Sequence, residues 1–434
     1  MSIVGQDVGA AGASTAQEIE RFSNPQIDST LPRALRKILA LEDLEEPARR
    51  YLPRPIFGYV SGGVETNAAL RGNRSAFEDL ALVPRSLVDV SKRSIKTTLF
   101  GRTYNAPFGF APMGGTSMVA YQGDVVLART AAEENIPMIM SGASLTRLED
   151  VRAAGRTAWF QAYLPGEADR IQKLVDRVER AGFDTLVLTV DTPVNANREN
   201  NVRSGFHKPL RPTPQLAWDC LSHPRWFFGM LVRTVMNHGM PYFENMGERV
   251  PLIARKVERD RGNRDELNWK HVELMRRIWK GKLVLKGVLN KQVARIARES
   301  GVDGVIVSNH GGRQLDFSAA PLRVLPGIAA EAKGITVMMD GGIRRGTDVL
   351  KALALGAQFV FVGRPILYAT AIGGEVGLRH VIKLLREEVG RDMALLGITR
   401  LDQMTHELLM PARSFDGLSW SAAAPADASR GART

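Results

Sequence analysis

The chain has 434 residues, 44% of them hydrophobic and 24% charged, so it can bury a large core and wholesale disorder is excluded. Its formal charge of +12 and pI near 9.9 call for an anionic partner, but no arginine-rich tail, zinc-finger spacing or RNA-recognition signature makes that partner nucleic acid. Phosphate or carboxylate ligands, or an anionic membrane surface, remain. The single cysteine, Cys220, excludes an intramolecular disulfide framework and a cysteine-cluster metal site, and fits a reducing, cytoplasmic compartment.

Residues 1–30, rich in Gly, Ala, Ser and Gln, read as a mobile leader without the basic-then-apolar order of a signal peptide. No stretch reaches the roughly 18 uncharged apolar residues of a spanning helix, so the chain is expected not to cross a membrane. From Leu31 to Arg50 apolar residues recur at helical spacing, as in Leu35, Ile38, Leu39 and Leu41, which predicts one or two short helices. Pro53 and Pro55 are expected to break that pattern. Tyr59 then precedes the glycine pair Gly62-Gly63 and reads as a packing residue or as a side chain reaching into a pocket.

From Ala106 one pattern recurs: an apolar strand, a small or polar cluster, then a helical stretch. The strand ends read Phe110-Ala111-Pro112-Met113, Ile139-Met140-Ser141-Gly142, Phe160-Gln161-Ala162-Tyr163, Leu188-Thr189-Val190-Asp191, Leu285-Lys286-Gly287, Val307-Ser308-Asn309-His310, Met339-Asp340-Gly341-Gly342 and Phe361-Val362-Gly363-Arg364. Between them lie helix-like segments such as Gly123–Glu134, Ala168–Ala181, Asn290–Ser300 and Thr347–Leu355. About eight such units predict an α/β fold, a closed (β/α)₈ TIM barrel over residues 31–420 preceded by N-terminal helices. The alternative, an open doubly wound sheet, would carry a glycine fingerprint after its first strand, and Pro112-Met113-Gly114-Gly115 is not one. The rhythm breaks after the fourth strand, where residues 193–268 form an insertion far longer than an ordinary β-to-α loop, a lid or an interaction segment. Residues 421–434 read as a mobile tail.

A barrel gathers its strand ends on one face, so these clusters can be read as one pocket. His310 can exchange a proton near neutral pH, and Arg313 offers a planar fork for a carboxylate. Alone, the pair could equally be a turn-capping histidine and a solvated arginine. Asp340-Gly341-Gly342-Ile343-Arg344 and Gly363-Arg364 end strands seven and eight, where backbone N–H groups and arginines suit a phosphorylated cofactor. Lys286, inside the mouth, needs an anionic partner or works as a nucleophilic amine, which keeps Schiff-base chemistry open. Asp191 either orients a protonated His310 or caps the following helix.

The run Ser308-Asn309-His310-Gly311-Gly312-Arg313-Gln314-Leu315-Asp316, with Lys286-Gly287-Val288, Asp340-Gly341-Gly342-Ile343-Arg344-Arg345-Gly346-Thr347-Asp348 and Gly363-Arg364-Pro365, resembles the FMN-dependent 2-hydroxy acid dehydrogenase and oxidase family from about Leu31 to Asp416. The resemblance implies oxidation of an L-2-hydroxy acid to a 2-oxo acid with reduction of FMN. It implies that His310 is the base and Asp191 holds its imidazolium. Arg313 and Tyr59 would hold the carboxylate, Tyr163 the substrate oxygen, and Arg198 would be a second arginine near the substrate. Lys286 would sit by flavin N1 and O2 and stabilise the reduced flavin's charge, which explains a lysine there without a Schiff base. Met113, Gly114, Ser141, Gln161, Thr189 and Ser308 match flavin contacts; Asp340, Gly342, Arg344, Gly363 and Arg364 match the ribityl and phosphate grip.

At Ala143 the glycolate-oxidising members carry a bulky aromatic, so a larger pocket is expected here. Gly114 stands where many oxygen-using members have alanine, which tilts the reading toward a dehydrogenase. The leader is too short to fold a haem domain, so electrons are not expected to leave through a fused cytochrome. Within the insertion, Pro224-Arg225-Trp226-Phe227-Phe228-Gly229-Met230-Leu231-Val232-Arg233 has the composition of a segment lying in a membrane interface, or of a lid or subunit contact. The insertion also resembles that of membrane-associated lactate and mandelate dehydrogenases. Peripheral attachment through residues 209–246, a quinone or other carrier as electron acceptor, and a homo-oligomer, a tetramer by resemblance, are therefore expected. The runner-up is a soluble oxidase releasing hydrogen peroxide; a non-redox phosphate-binding isomerase is the alternative from another class.

Overall fold

The computed structural model describes residues 28–207, 209–245, 247, 249–254 and 263–412. Apart from residues 28–30, the expected leader lies outside the described residues, as does the expected tail. Eight parallel strands close into a barrel. They are β1 (Phe108–Phe110), β2 (Met138–Ser141), β3 (Ala158–Ala162), β4 (Thr185–Thr189), β5 (Lys282–Val288), β6 (Gly304–Val307), β7 (Thr336–Asp340) and β8 (Phe359–Val362). Each is followed by a helix: α1 (Gly123–Glu133), α2 (Leu148–Ala154), α3 (Ala168–Arg180), α4 (Trp269–Ile278), α5 (Lys291–Glu299), α6 (Pro321–Glu331), α7 (Gly346–Ala354) and α8 (Arg364–Leu396), the last kinked at Gly374. The open-sheet alternative is excluded.

Strand alternation builds the barrel interior in layers. Ile139, Trp159, Val187, Val284, Ile306, Met338 and Phe361 form one apolar cluster, closed beneath by Leu99 and Tyr104 of the hairpin Thr97–Leu99 and Arg102–Tyr104. Two residues further along, six of these strands turn polar at the inward position: Ser141, Gln161, Thr189, Lys286, Ser308 and Asp340, all buried. Two residues beyond that come Ala143, Tyr163, Asp191, His310 and Gly342. One period-2 pattern therefore stacks an apolar plug, a polar floor and a reactive rim at the C-terminal mouth. The outward residues Leu186, Leu188, Leu285 and Val305 belong to the second, larger cluster between barrel and helices.

Ahead of the barrel, the helix Glu45–Tyr51 is followed by Arg54–Ser61 and Ala68–Glu78. The helix Glu45–Tyr51 stops before Pro53, as the sequence pattern implies, and a separate helix starts directly after it. Pro53 is the N-cap and Pro55 lies in the first turn of Arg54–Ser61, where a missing N–H costs no helical bond. That helix carries Tyr59 to the barrel mouth. In the insertion, Glu199–Ser204, Pro214–Leu221, Pro224–Trp226 and Arg233–His238 are short helices, with a π-helical turn over Phe227–Val232 and two short strands, Tyr242–Phe243 and Val250–Pro251.

Candidate active site

A cavity opens at the mouth, and Tyr59, Met113, Gly114, Ala143, Tyr163, Arg198, Lys286, His310, Arg313, Asp340, Gly342, Arg344, Gly363 and Arg364 all line it. Of the residues expected at the site, Ser141, Gln161, Thr189, Ser308 and Asp191 stand beneath or behind that wall. Ser141 Oγ donates to Gln161 Oε1 (3.1 Å) and Gln161 Nε2 to Thr189 Oγ1 (2.8 Å), so one chain of hydrogen bonds crosses the ends of β2, β3 and β4. Strand register puts these groups within reach: Ser141 is level with Gln161, and Thr189 with Lys286.

Lys286 Nζ lies 2.9 Å from Asp340 Oδ2 and donates to Ser308 Oγ at 2.9 Å. Burial works to lower its pKa, but the charges of Asp340 and Asp191 outweigh that and raise it. The amine is held as an ammonium, which removes it as a Schiff-base nucleophile. Gly287, at φ +100°, makes this corner possible: a Cβ there would lie 2.5 Å from Asp191 Cγ.

His310 has a left-handed backbone, φ +59°, and Gly311 and Gly312 continue it. Such a conformation costs a β-substituted residue about 1 kcal/mol and persists where the surroundings over-determine it. Here His310 N–H donates to Ser308 Oγ, and Nδ1 meets Asp191 Oδ1 at 3.0 Å, leaving Nε2 as the nitrogen available to the cavity. Burial lowers the imidazole pKa more than Asp191 restores it, so the ring is neutral at neutral pH. Burial would raise the Asp191 carboxyl, but His310 and then Lys286 hold it low. Asp191 caps no helix, since the next one begins at Glu199.

Arg313 stacks over Tyr59, 5.1 Å from the ring centre, and donates to the Gly62 carbonyl. Arg198 supports the same loop through the Arg313 carbonyl (2.9 Å) and Gln314. Tyr59 donates to the Gly114 carbonyl at 3.0 Å. Burial, with Arg198 and Arg364, depresses the Arg313 pKa, and no described carboxylate pairs with it. Burial likewise lowers Arg344 and Arg364; Arg364 donates to the Val60 and Gly62 carbonyls and Arg344 to Ile343. Two half-buried guanidiniums meeting only carbonyls among the described residues, beside Gly341 and Gly342 at positive φ, fit a phosphate. Asp340 Oδ1 is buried without a partner, as expected of an acceptor awaiting a ligand hydroxyl.

Sequence reading missed several supporting groups. Asn73 and Asn309 exchange hydrogen bonds of 2.8 and 2.7 Å, fixing the β6 loop to the helix Ala68–Glu78. Tyr368, one turn after Arg364, buries a hydroxyl without a partner; its i+4 spacing from Arg364 was the available signal. Arg264, from the far end of the insertion, lies over Tyr163, 4.9 Å from the ring centre, and nothing local marked it. The Pro224–Arg233 segment is not wholly outward. Trp226 and Met230 are buried, and Trp226 Nε1 donates to the Met118 carbonyl at 2.9 Å, whereas Phe228 is 62% exposed.

Fold and site together define a barrel enzyme that holds a phosphorylated cofactor beside a histidine–aspartate pair. The chain belongs to the FMN-dependent dehydrogenase family, whose profile matches residues 48–411, and FMN is its cofactor. It is 36% identical to a putative L-lactate dehydrogenase of Mycobacterium tuberculosis, over 89% of this chain and 92% of the relative. It is 34% identical to a 2-hydroxyacid oxidase of Dictyostelium discoideum, covering 92% and 95%. Among solved structures it superposes on the monotopic membrane protein (S)-mandelate dehydrogenase with a TM-score of 0.79 and 32% identity, covering 86% of this chain and all of the other.

Proposed function

We propose that the protein oxidises an L-2-hydroxy acid to the 2-oxo acid. The observation that carries this reading is the placing of an aspartate-held imidazole and, in the same cavity, a half-buried guanidinium that meets no carboxylate among the described residues. Arg313 and Tyr59 bind the substrate carboxylate, aided by Arg198, and Tyr163 receives the substrate oxygen. His310 Nε2 takes the hydroxyl proton, and Asp191 stabilises the imidazolium so formed. FMN, when bound, supplies the two-electron acceptor. Arg344, Arg364 and the glycines Gly342 and Gly363 hold its phosphate and Asp340 its ribityl chain. Met113, Gly114, Ser141, Gln161, Thr189 and Ser308 would contact its ring, with Lys286 supplying a cation to balance charge on the reduced flavin. The test is anaerobic mixing of the FMN-loaded protein with a panel of 2-hydroxy acids. Bleaching of the flavin by one of them, lost by several orders of magnitude in His310→Gln with FMN retained, is expected; near-normal bleaching in that variant would overturn the role of His310.

Among the described residues no helix is long and apolar enough to cross a membrane. The insertion nonetheless exposes Trp218 (67%), Leu221 (59%), Phe228 (62%) and Met236 (80%). These support peripheral attachment to a bilayer, where a quinone or other carrier would take the electrons; the neighbouring structure is named as that of a monotopic membrane protein. Residue 246, the end of the expected segment, lies outside the described residues. Equal sedimentation with anionic vesicles by the intact protein and by a variant with a short polar loop in place of the insertion would refute attachment and favour the oxidase reading. Assembly as a homotetramer is carried by the family resemblance and is checked by light scattering.

A further inference from the structure

Ala143 lines the catalytic cavity and, with Tyr163 and Arg198, a neighbouring one as well, so it stands at the junction between the two cavities. On the reading above, Arg313 and Tyr59 take the substrate carboxylate and His310 the hydroxyl, which leaves the substrate side chain to meet Ala143. Ala143 belongs to the loop between β2 and α2, and the course of that loop sets the wall the side chain meets.

The near end of the loop is fixed locally: the Ala143 N–H donates to Ser141 Oγ at 3.1 Å and the Ser144 N–H to the Ser141 carbonyl at 2.9 Å. Its far end is not. Arg147, the N-cap of α2, supplies no side-chain cap, although the first helical N–H groups need acceptors. The acceptor comes from the insertion, where Asn245 Oδ1 takes the Leu148 N–H at 2.9 Å from 97 residues away. Asn245 Nδ2 donates back to the Thr146 carbonyl at 2.7 Å and the Ser144 carbonyl at 3.3 Å. One side chain, 1% exposed, thus holds three backbone groups within residues 144–148. The arm that carries it is clamped in turn. Arg177 of α3 donates to the Glu244 carbonyl at 2.8 Å while gripping both carboxylate oxygens of Glu149 in α2, which holds that carboxyl down to about 2.

The pattern suits an amide and little else. An amide presents a carbonyl acceptor and two N–H donors in one plane, whereas a carboxylate has no donor and an apolar side chain would leave buried backbone groups unpaired. We propose that Asn245 is a positioning residue for substrate recognition, acting through residues 144–148 to hold Ala143 in place against the substrate side chain. The inference rests on the 2-hydroxy acid reading and adds to it a determinant of specificity that lies in the insertion. His310, Asp191, Arg313 and Tyr59 stand on other elements, so Asn245 acts on the fit of the side chain and not on proton transfer.

The experiment compares the FMN-loaded native enzyme with Asn245→Ala and Asn245→Asp in anaerobic flavin reduction. The probes are glycolate, which has no side chain, and mandelate and 2-hydroxyoctanoate, which have large ones. The specificity constant for the better large acid, divided by that for glycolate, should fall about tenfold or more in Asn245→Ala, chiefly through weaker substrate binding, as the loss of a buried hydrogen-bonded support implies. Asn245→Asp keeps the shape and the acceptor for Leu148 but loses the donor, so it should show the same selective loss, and it carries the test if the alanine variant does not fold. A ratio within threefold of native in a folded, flavin-loaded variant overturns the proposal, even if melting temperature falls. Equal losses for glycolate and the large acids, or failure of both variants to fold with FMN, would make Asn245 a general structural support and overturn it too. So would a native enzyme reduced by glycolate alone. If no 2-hydroxy acid bleaches the native flavin, the function reading itself fails instead.

Discussion

Replacing Asp191 by asparagine tests the proton-transfer arrangement with almost no change of shape. In the native site the carboxylate lies 3.0 Å from His310 Nδ1 and is 14% exposed, against 19% for the histidine side chain. When His310 takes the hydroxyl proton, that contact becomes an ion pair. At an effective dielectric constant near 20, opposite unit charges at this separation attract by about 5 kcal/mol. An amide carbonyl still accepts the Nδ1 hydrogen and recovers part of this, because a neutral hydrogen bond has roughly half the strength of a charge-assisted one. The remaining loss is about 2–4 kcal/mol in the transition state, or roughly 30- to 1,000-fold in rate. Stopped-flow anaerobic flavin reduction measures it directly, with FMN content as the control because Asp191 does not line the cavity wall. Since Asp191 works to raise the His310 pKa, the variant's acid limb should also move to lower pH. A reduction rate within threefold of native at every pH, or an acid limb moving upward, would refute the assignment of Asp191 as the partner that stabilises the imidazolium.

In the unmodified enzyme the sign of the pH dependence follows from burial. His310 titrates below its ordinary value near 6.5, so the specificity constant should be full at neutral pH and fall as pH drops through that lowered value; an acid limb above 6.5 would contradict the neutral imidazole. Arg364→Met removes one of two half-buried guanidiniums at the phosphate end and should weaken FMN binding by at least about tenfold, read by fluorescence titration of the apoprotein. Ala143→Trp should fill the junction between the two cavities and shift preference toward glycolate, measured as a ratio of specificity constants. If glycolate is already the best substrate of the native protein, the pocket argument fails.

Much of this protein was legible in one dimension because its construction is periodic. Strand alternation is a local property, so a polar residue two positions after an apolar inward one, as at Gln161 after Trp159 or Lys286 after Val284, can be read from sequence, and so can its successor two positions on. The glycines at 311, 312, 341 and 342 were visible as loop residues. Their positive φ angles show why other residues would be strained there.

What sequence could not decide is which of these groups meet. Asp191 and His310 are 119 residues apart, and Lys286 and Asp340 are 54 apart; their pairing follows from barrel closure and strand register, which are sums of contacts over the whole chain. The left-handed backbone of His310 is likewise imposed by its surroundings rather than by its own propensity. Composition alone made the Pro224–Arg233 segment one apolar strip. Only packing could divide it, because the barrel takes in Trp226 and Met230 and leaves Phe228 on the outside. Arg264 reaches Tyr163 by the course of an insertion with no repeating pattern, so its contact arises from tertiary structure and has no counterpart in local sequence.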